Sequence, residues 1–89
     1  MIKNKNFEIV SISDEHMAIP VGDEATSFHG VIALSESAAF LLEKMEKPLS
    51  VEELVDILLE EYEIDRVTAQ KDVDSIIRKF VELNLVLDR

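Results

Sequence analysis

The segment of residues 27–40 changes its hydrophobic period at one position, Ser35. Before Ser35 the segment holds β-branched and aromatic residues and no proline, which predicts a strand over residues 27–34. After it, apolar residues recur at helical spacing, which predicts a helix over residues 36–46. Serine suits the cap of this helix, and Glu36 suits its positive amino end. We therefore predict a strand that runs directly into a helix.

This predicted strand is apolar on both faces in its second half. Alternate residues of an extended chain point to opposite sides. The two sets are Phe28, Gly30, Ile32 and Leu34 on one face, and His29, Val31 and Ala33 on the other. Exposed apolar surface is unfavourable in water, so such a strand needs cover on both sides. We expect one cover to come from the chain itself and the other from a partner.

Two further strands are predicted ahead of this segment, over residues 7–13 and 16–21. Asp14-Glu15 forms the turn between them, so the two strands should pair as a hairpin. Pro20 has no backbone N–H to donate, so the second strand should end there or lie at an edge. The simplest arrangement of the three strands is an N-terminal antiparallel sheet.

Two more helices are predicted after the first, over residues 51–63 and 66–83. Ser50 begins a capping box for one of them, and Asp65 is a suitable cap for the other. The short apolar tail at residues 85–87 is expected to pack back as an extended segment. Three strands followed by three helices indicate an α+β fold of the winged helix-turn-helix type.

Composition limits the function classes. The chain has 89 residues, no cysteine and a formal net charge of −10, and its length fits a single domain over residues 1–89. A chain without cysteine has no disulfides or thiolate ligands and is typical of a reducing compartment, so we expect a cytoplasmic location. No apolar run approaches the roughly 20 residues of a membrane helix, so no membrane partner is expected.

Catalytic and metal-binding patterns are missing from the sequence. Neither His16 nor His29 has a second ligand at metal spacing, so no metal site is expected. The sequence contains no nucleophile–base pattern, phosphate-binding loop or recognisable pair of catalytic acids. We therefore expect a protein that is not an enzyme and holds no cofactor.

Charge also bears on the alternative that this chain is a winged-helix DNA-binding regulator. The predicted helix over residues 66–83 would be the recognition helix, and it carries four basic and three acidic residues. Such a nearly neutral helix argues against strong phosphate contact, so no nucleic-acid partner is expected. A third class, the acyl carrier proteins, is echoed by Asp74-Ser75-Ile76. That triplet lies inside the last helix and not at the start of a central one, and the fold of that class contains no strands.

The order and spacing of several short motifs resemble the PqqD family, named for pyrroloquinoline-quinone synthesis protein D. The resemblance covers about residues 15–88. This chain differs from the family pattern at four positions, where the family frequently has Asn, Thr, Trp and Gly. These positions are Ser35, Ser37, Leu42 and Asn84, in the same order. The motifs that carry it are the strand-to-helix junction Ile32–Leu42, Leu49–Leu54, Tyr62, Asp72-Val73 and Phe80–Val86.

The resemblance implies a role in recognising precursor peptides that are made on ribosomes and then modified. In that family the leader segment of the precursor is held as an added strand, in a groove between the third strand and the third helix. The implied partners are a precursor leader peptide and a modifying enzyme, with a radical SAM enzyme as one candidate. An open strand edge would also permit a homodimer by strand exchange. The predicted peptide-binding residues are Phe28, His29, Gly30, Val31, Ile32, Ala33, Leu34, Asp72, Ile76, Lys79 and Phe80.

Overall fold

The computed structural model describes residues 1–22 and 30–88. Within these residues it contains five strands and three helices, and the strands of the main sheet precede the helices. The α+β class, the antiparallel sheet and the three helices are confirmed. In chain order the elements are β1 (Ile2–Lys3), β2 (Phe7–Ile12), β3 (Glu15–Pro20), β4 (Ile32–Leu34), α1 (Glu36–Lys44), α2 (Val51–Glu61), α3 (Arg66–Glu82) and β5 (Val86–Leu87).

The main sheet has the order β2-β3-β4, with both pairings antiparallel. Ser13, at φ 55°, lies in the left-handed region and helps the chain reverse between β2 and β3. The turn lies one residue earlier than predicted, since Glu15 already pairs with Ile12. Pro20 is the last residue of β3, as expected for a residue without an N–H.

The third strand is shorter than predicted. Residues 27–29 lie outside the described part of the chain, and β4 begins only at Ile32. Gly30 has φ 105°, which lies outside the β region. Only glycine adopts such a positive φ without steric cost. The prediction that Gly30 and Val31 belong to the strand is therefore wrong. Sequence pattern alone could not reveal this break, because glycine is compatible with either backbone conformation.

A second, two-stranded sheet joins the two ends of the described chain. Ile2 pairs with Leu87 and Lys3 with Val86, so the tail packs back as expected, but its partner β1 was not predicted. Asn4 is buried and donates from Nδ2 to the Asn84 carbonyl at 2.9 Å. Its Oδ1 accepts from the Asn6 amide at 3.0 Å, so both ends of this buried amide are bonded.

The three predicted helix caps are confirmed. Ser35 accepts from the Ala38 amide at 3.1 Å, and Asp65 accepts from the Thr68 amide at 2.7 Å. At α2 both bonds of the capping box are present: Ser50 Oγ accepts from the Glu53 amide at 3.1 Å, and the Glu53 carboxylate accepts from the Ser50 amide at 3.0 Å. Local side-chain chemistry thus determines where each helix begins. Each helix ends one or two residues earlier than predicted.

The end of α3 is closed by a Schellman turn. Asn84 adopts φ 59°, the amide of Leu85 donates to the Phe80 carbonyl at 2.8 Å, and the amide of Asn84 donates to the Val81 carbonyl at 3.2 Å. Asparagine tolerates this left-handed position better than most residues. The turn brings Leu85 back under the helix, where it is fully buried.

The core lies between the main sheet and the helices. Its largest fully buried side chains include Phe7 from the sheet, Leu41 and Leu42 from α1, Leu54 and Leu58 from α2, and Phe80 from α3. Phe80 and Ile32 belong to the same buried cluster, so α3 and β4 contribute to one core. No helix in residues 1–22 and 30–88 has the length and apolar content needed to cross a membrane.

Candidate functional site

A groove of about 300 Å³ lies between β4 and the carboxyl-terminal half of α3. It brings together six of the residues that the sequence predicted for a peptide site. These six are Ile32, Ala33, Leu34, Ile76, Lys79 and Phe80. The remaining described lining residues are Ser35, Ala38, Ser75, Leu83 and Leu85.

The floor of the groove is part of the hydrophobic core. Phe80 is 1% exposed, Ile32 is 8% exposed and Leu85 is fully buried, so these three side chains close the groove from below. Ile76 and Leu83 are half-buried and flank the opening on α3. Residues three or four apart share a helix face, so α3 presents these side chains toward β4 together. The groove is therefore apolar in its depth and rests on a fixed base.

One edge of β4 carries no strand in the described part of the chain. On its other side β4 pairs with β3, through His16 with Leu34, Met17 with Ala33 and Ala18 with Ile32. Ala33 is exposed, whereas Ile32 faces the core. Val31, just before the strand, is 56% exposed. An unpaired strand edge offers backbone N–H and C=O groups to any extended segment that comes alongside it.

Lys79 is the one charged residue among the described residues that line the groove. Ion pairs in residues 1–22 and 30–88 join Lys3 to Glu46 and Arg66 to Asp56, and neither includes Lys79. Ser35 Oγ is already engaged as the cap of α1. The rim of the groove therefore offers one ammonium group and the exposed side chain of Ser75.

Three of the predicted residues do not line the groove, and two more lie outside the described part of the chain. Phe28 and His29 lie outside the described residues. Gly30 and Val31 are exposed and precede β4, and Asp72 is exposed one helical turn before Ile76. Gly30, Val31 and Asp72 thus lie close in sequence to lining residues, but the structure does not bring them into the groove.

Helical spacing could have identified two of the missed lining residues, Ser75 and Leu83. Ser75 lies four positions before Lys79 on the same helix face. Leu83 lies four positions after Lys79 and seven after Ile76, so it shares their helix face. Leu85 could not be found in this way, because it reaches the groove only through the Schellman turn. Ser35 and Ala38 line it because α1 follows β4 without a loop.

A second cluster of side chains surrounds the single tyrosine of the chain. The rings of Phe40 and Tyr62 meet edge to face at 6.0 Å, and Lys44 Nζ lies 5.3 Å from the centre of the Phe40 ring. Tyr62 Oη donates to Glu36 Oε2 at 3.1 Å. Burial raises the pKa of Tyr62, and the hydrogen bond to Glu36 and the charges of Glu36 and Glu61 raise it further. The hydrogen bond and the ring contact join α1 to the end of α2, and the raised pKa is a consequence of these contacts.

The described residues contain no group of three or more histidine, aspartate or glutamate side chains placed to hold a metal ion. His16 Nδ1 is hydrogen-bonded to Ser11 Oγ at 2.7 Å, and His29 lies outside the described part. Within the described residues, the groove combines an open strand edge, an apolar floor and one positive charge at the rim.

Comparison with known proteins gives two solved structures of similar fold. TbiB1 in complex with the TbiA(beta) leader peptide is 22% identical, the alignment covers 99% of this chain and 100% of that chain, and the TM-score is 0.74. Lasso peptide synthetase B1 complexed with the leader peptide is 16% identical, with 97% and 95% coverage and a TM-score of 0.71. At such identities the similarity concerns the fold.

Sequence comparison identifies the family. No curated protein has a significantly similar sequence. The family model described as coenzyme PQQ synthesis protein D (PqqD) matches residues 15–86, close to the span over which the sequence motifs predicted the resemblance. This match covers most of the 89 residues, and the chain belongs to the PqqD family.

Proposed function

We propose that this chain is a non-catalytic recognition domain, single over residues 1–89, that binds the leader segment of a ribosomally made precursor peptide and presents it to a modifying enzyme. The observation that carries the proposal is the edge of β4 beside the apolar groove of α3, which carries no strand in residues 1–22 and 30–88. Membership of the PqqD family supports it. So do the two structures of similar fold, each of which is a complex with a leader peptide.

Binding would proceed by strand addition. A leader of about 6–10 residues would lie antiparallel or parallel to β4 and bond to its free N–H and C=O groups. Every second side chain of the leader would enter the groove above Phe80 and between Ile76 and β4. Main-chain bonds would supply affinity, and the groove would supply selectivity. Gly30, Val31 and Asp72, which lie close in sequence to lining residues, would border the bound segment. Phe28 and His29 stay predicted peptide contacts.

The chain itself would contribute binding and positioning, and the partner enzyme would carry out the chemistry. Holding the leader raises the local concentration of the precursor at the enzyme, which accelerates modification without any catalytic group on this chain. A radical SAM enzyme is one candidate partner. Because such precursors are made on ribosomes, the proposal includes a cytoplasmic location, and it requires neither nucleic acid nor membrane.

The alternative function in duplex DNA binding gains no support from the family match or the similar structures. The net charge of −10 also opposes it, since phosphate contacts need a positive surface.

A second occupant of the β4 edge remains part of the proposal: another copy of this chain, bound by strand exchange. A rise in sedimentation coefficient with protein concentration, reversed by added leader, would show that copy and leader compete for the same edge.

A nuclear magnetic resonance titration tests the main proposal. The probe is a synthetic leader from a short precursor encoded beside this gene and a modifying enzyme. We expect amide shifts at residues 30–34 and 75–85 and constant amide positions on the exposed face of α2. Unchanged amides in β4 and α3 at saturating peptide would show that leader binding at this groove is wrong.

A further inference from the structure

The charge of the groove differs in sign from that of the whole chain. The chain carries a net charge of −10, yet the single charged residue among the described lining residues is Lys79. Surface charges separated by more than about 8–10 Å are largely screened at physiological salt. The charge of a bound segment would therefore be selected by Lys79 at contact distance and not by the net charge of the chain.

Lys79 is placed to pair with a bound carboxylate. It lies between the half-buried side chains of Ile76 and Leu83 on the same face of α3. Neither ion pair of the described chain involves it, so its ammonium group is not paired with a carboxylate of the described residues. A segment lying in the groove would displace water from these neighbours, and an ion pair that is partly shielded from water is stronger than an exposed one.

The spacing of the groove limits where that carboxylate can lie. Ile76 and Lys79 are separated by about 4.5 Å along the helix axis, from a rise of 1.5 Å per residue. Side chains on one face of an extended peptide are about 6.6 Å apart. The long lysine side chain can span the difference. For a peptide running along α3, an apolar residue above Ile76 therefore places the second residue away within reach of Lys79.

We infer that the bound leader carries one acidic residue two positions from an apolar residue, and that Lys79 selects it. This inference rests on the proposed function, since it concerns the same groove. It names Lys79 as the residue that determines charge specificity and the pattern apolar-x-Asp/Glu, in either direction, as the class of ligand.

Selection from a random peptide library provides the test. The probe is a phage-displayed library of random peptides of about 12 residues, long enough to cover an average strand twice. It is selected against the unmodified chain, against Lys79→Glu and against Lys71→Glu. Lys71 is a matched control, because it is an exposed lysine of the same helix that does not line the groove. Unchanged thermal unfolding should confirm that each variant folds.

We expect the unmodified chain and Lys71→Glu to enrich an acidic residue two positions from an apolar one. Lys79→Glu should enrich lysine or arginine at the same offset. For a peptide selected on the unmodified chain, Lys79→Glu should raise Kd about 10-fold or more, and Lys71→Glu less than about 3-fold, as expected for a shielded compared with an exposed ion pair. Amide shifts in β4 and α3 should show that the selected peptides occupy the groove.

The alternative outcomes separate the two proposals. The selected peptides could occupy the groove, show no acidic enrichment and lose equal affinity with either variant. That result would overturn the role of Lys79 and leave leader binding intact. A library that yields no peptide at the groove, or peptides that shift only amides elsewhere, would overturn the proposed function and the charge inference with it.

Discussion

The β1–β5 sheet and the β4 edge are both short, but their backbone groups are bonded differently. The amide of Lys3 in β1 donates to the Met45 carbonyl at 2.8 Å, so β1 has partners on both sides. β4 pairs with β3 on one side and, within the described residues, has no strand on the other. The fold thus closes the β1–β5 sheet with its own chain at the β1 edge. The β4 edge, within the described residues, keeps unused hydrogen-bonding capacity beside an apolar groove.

The two regions should therefore respond differently to substitution. Changes at the closed sheet should lower stability and leave peptide affinity unchanged, whereas changes at the β4 edge should lower affinity and leave stability nearly unchanged. Residues that serve both the core and the groove floor should change both. Four predictions test this separation, from the largest effect to the smallest.

Phe80→Ala should have the largest effect. Phe80 belongs to the core and to the groove floor, so its truncation should reduce the free energy of unfolding by about 3–5 kcal/mol. Urea denaturation measures this loss. Val81→Ala is the control, because Val81 is the next residue of α3 and is 60% exposed, so its truncation should change stability by less than about 0.5 kcal/mol. Similar losses for the two variants would contradict the described packing of α3.

Asn4→Ala tests the closed sheet. The substitution removes the bonds that Asn4 makes with the Asn84 carbonyl and the Asn6 amide, so we expect a loss of about 2 kcal/mol in the free energy of unfolding. Lys5→Ala, an exposed neighbour, should cost little. The Kd for leader peptide should stay within about 2-fold of the unmodified chain, because Asn4 does not line the groove. A large loss of affinity would show that the two regions are coupled.

The groove face of α3 and the β1–β5 sheet differ in how far the sequence could predict them. Phe80, Ile76 and Lys79 are predicted because the family resemblance implies a groove against the third helix, where these residues lie within about one turn of one another. The caps at Ser35 and Asp65 were found because they depend on local side-chain chemistry. The pairing of β1 with β5 joins residues more than 80 positions apart and involves two residues on each strand, so no local pattern predicts it.

The β4 edge was only partly predictable for a different reason. The apolar run before Ser35 indicated a strand, but Gly30 could equally continue or end it, and the structure shows that β4 begins after Gly30. Leu85 reaches the groove through a turn whose left-handed residue is Asn84. Asparagine occurs in many settings, so its presence alone does not predict such a turn. Where β4 begins and where Leu85 packs both depend on contacts with residues distant in sequence, which no local pattern contains.

Ala33→Pro tests the open edge. Proline cannot donate a hydrogen bond, so if the Ala33 amide faces the leader, Kd should rise about 10-fold or more while the chain stays folded. Ala33→Ser is the control, since Ala33 is exposed and serine keeps the amide. Fluorescence polarisation with labelled leader gives Kd, and circular dichroism monitors folding. A folded proline variant with unchanged affinity would exclude a bond from this amide.

If Ala33→Pro unfolds the sheet, the amide of Ala33 pairs with β3 and the free amides belong to Ile32 and Leu34, because adjacent amides face opposite edges. Leader peptides N-methylated at single positions then provide the test without altering the protein. Alternate positions should lose affinity, and the positions between them should not. Uniform tolerance of N-methylation at every position would contradict strand addition.

The smallest effect is expected at Tyr62, which lies outside the groove. Tyr62 is the single tyrosine, so ultraviolet absorbance reports its titration without interference. Burial and Glu36 raise its pKa above the ordinary value of 10.0, so its contribution to stability is present below pH 10.0 and is lost as pH rises through the folded pKa. Glu36→Gln should lower this pKa only part of the way, because burial is the larger cause.

Saturating leader should leave the titration unchanged, since neither Tyr62 nor Glu36 lines the groove. A shift of the tyrosine pKa on leader binding would place the leader, or a change that it induces, at α1 and α2, and would contradict the separation of the two regions.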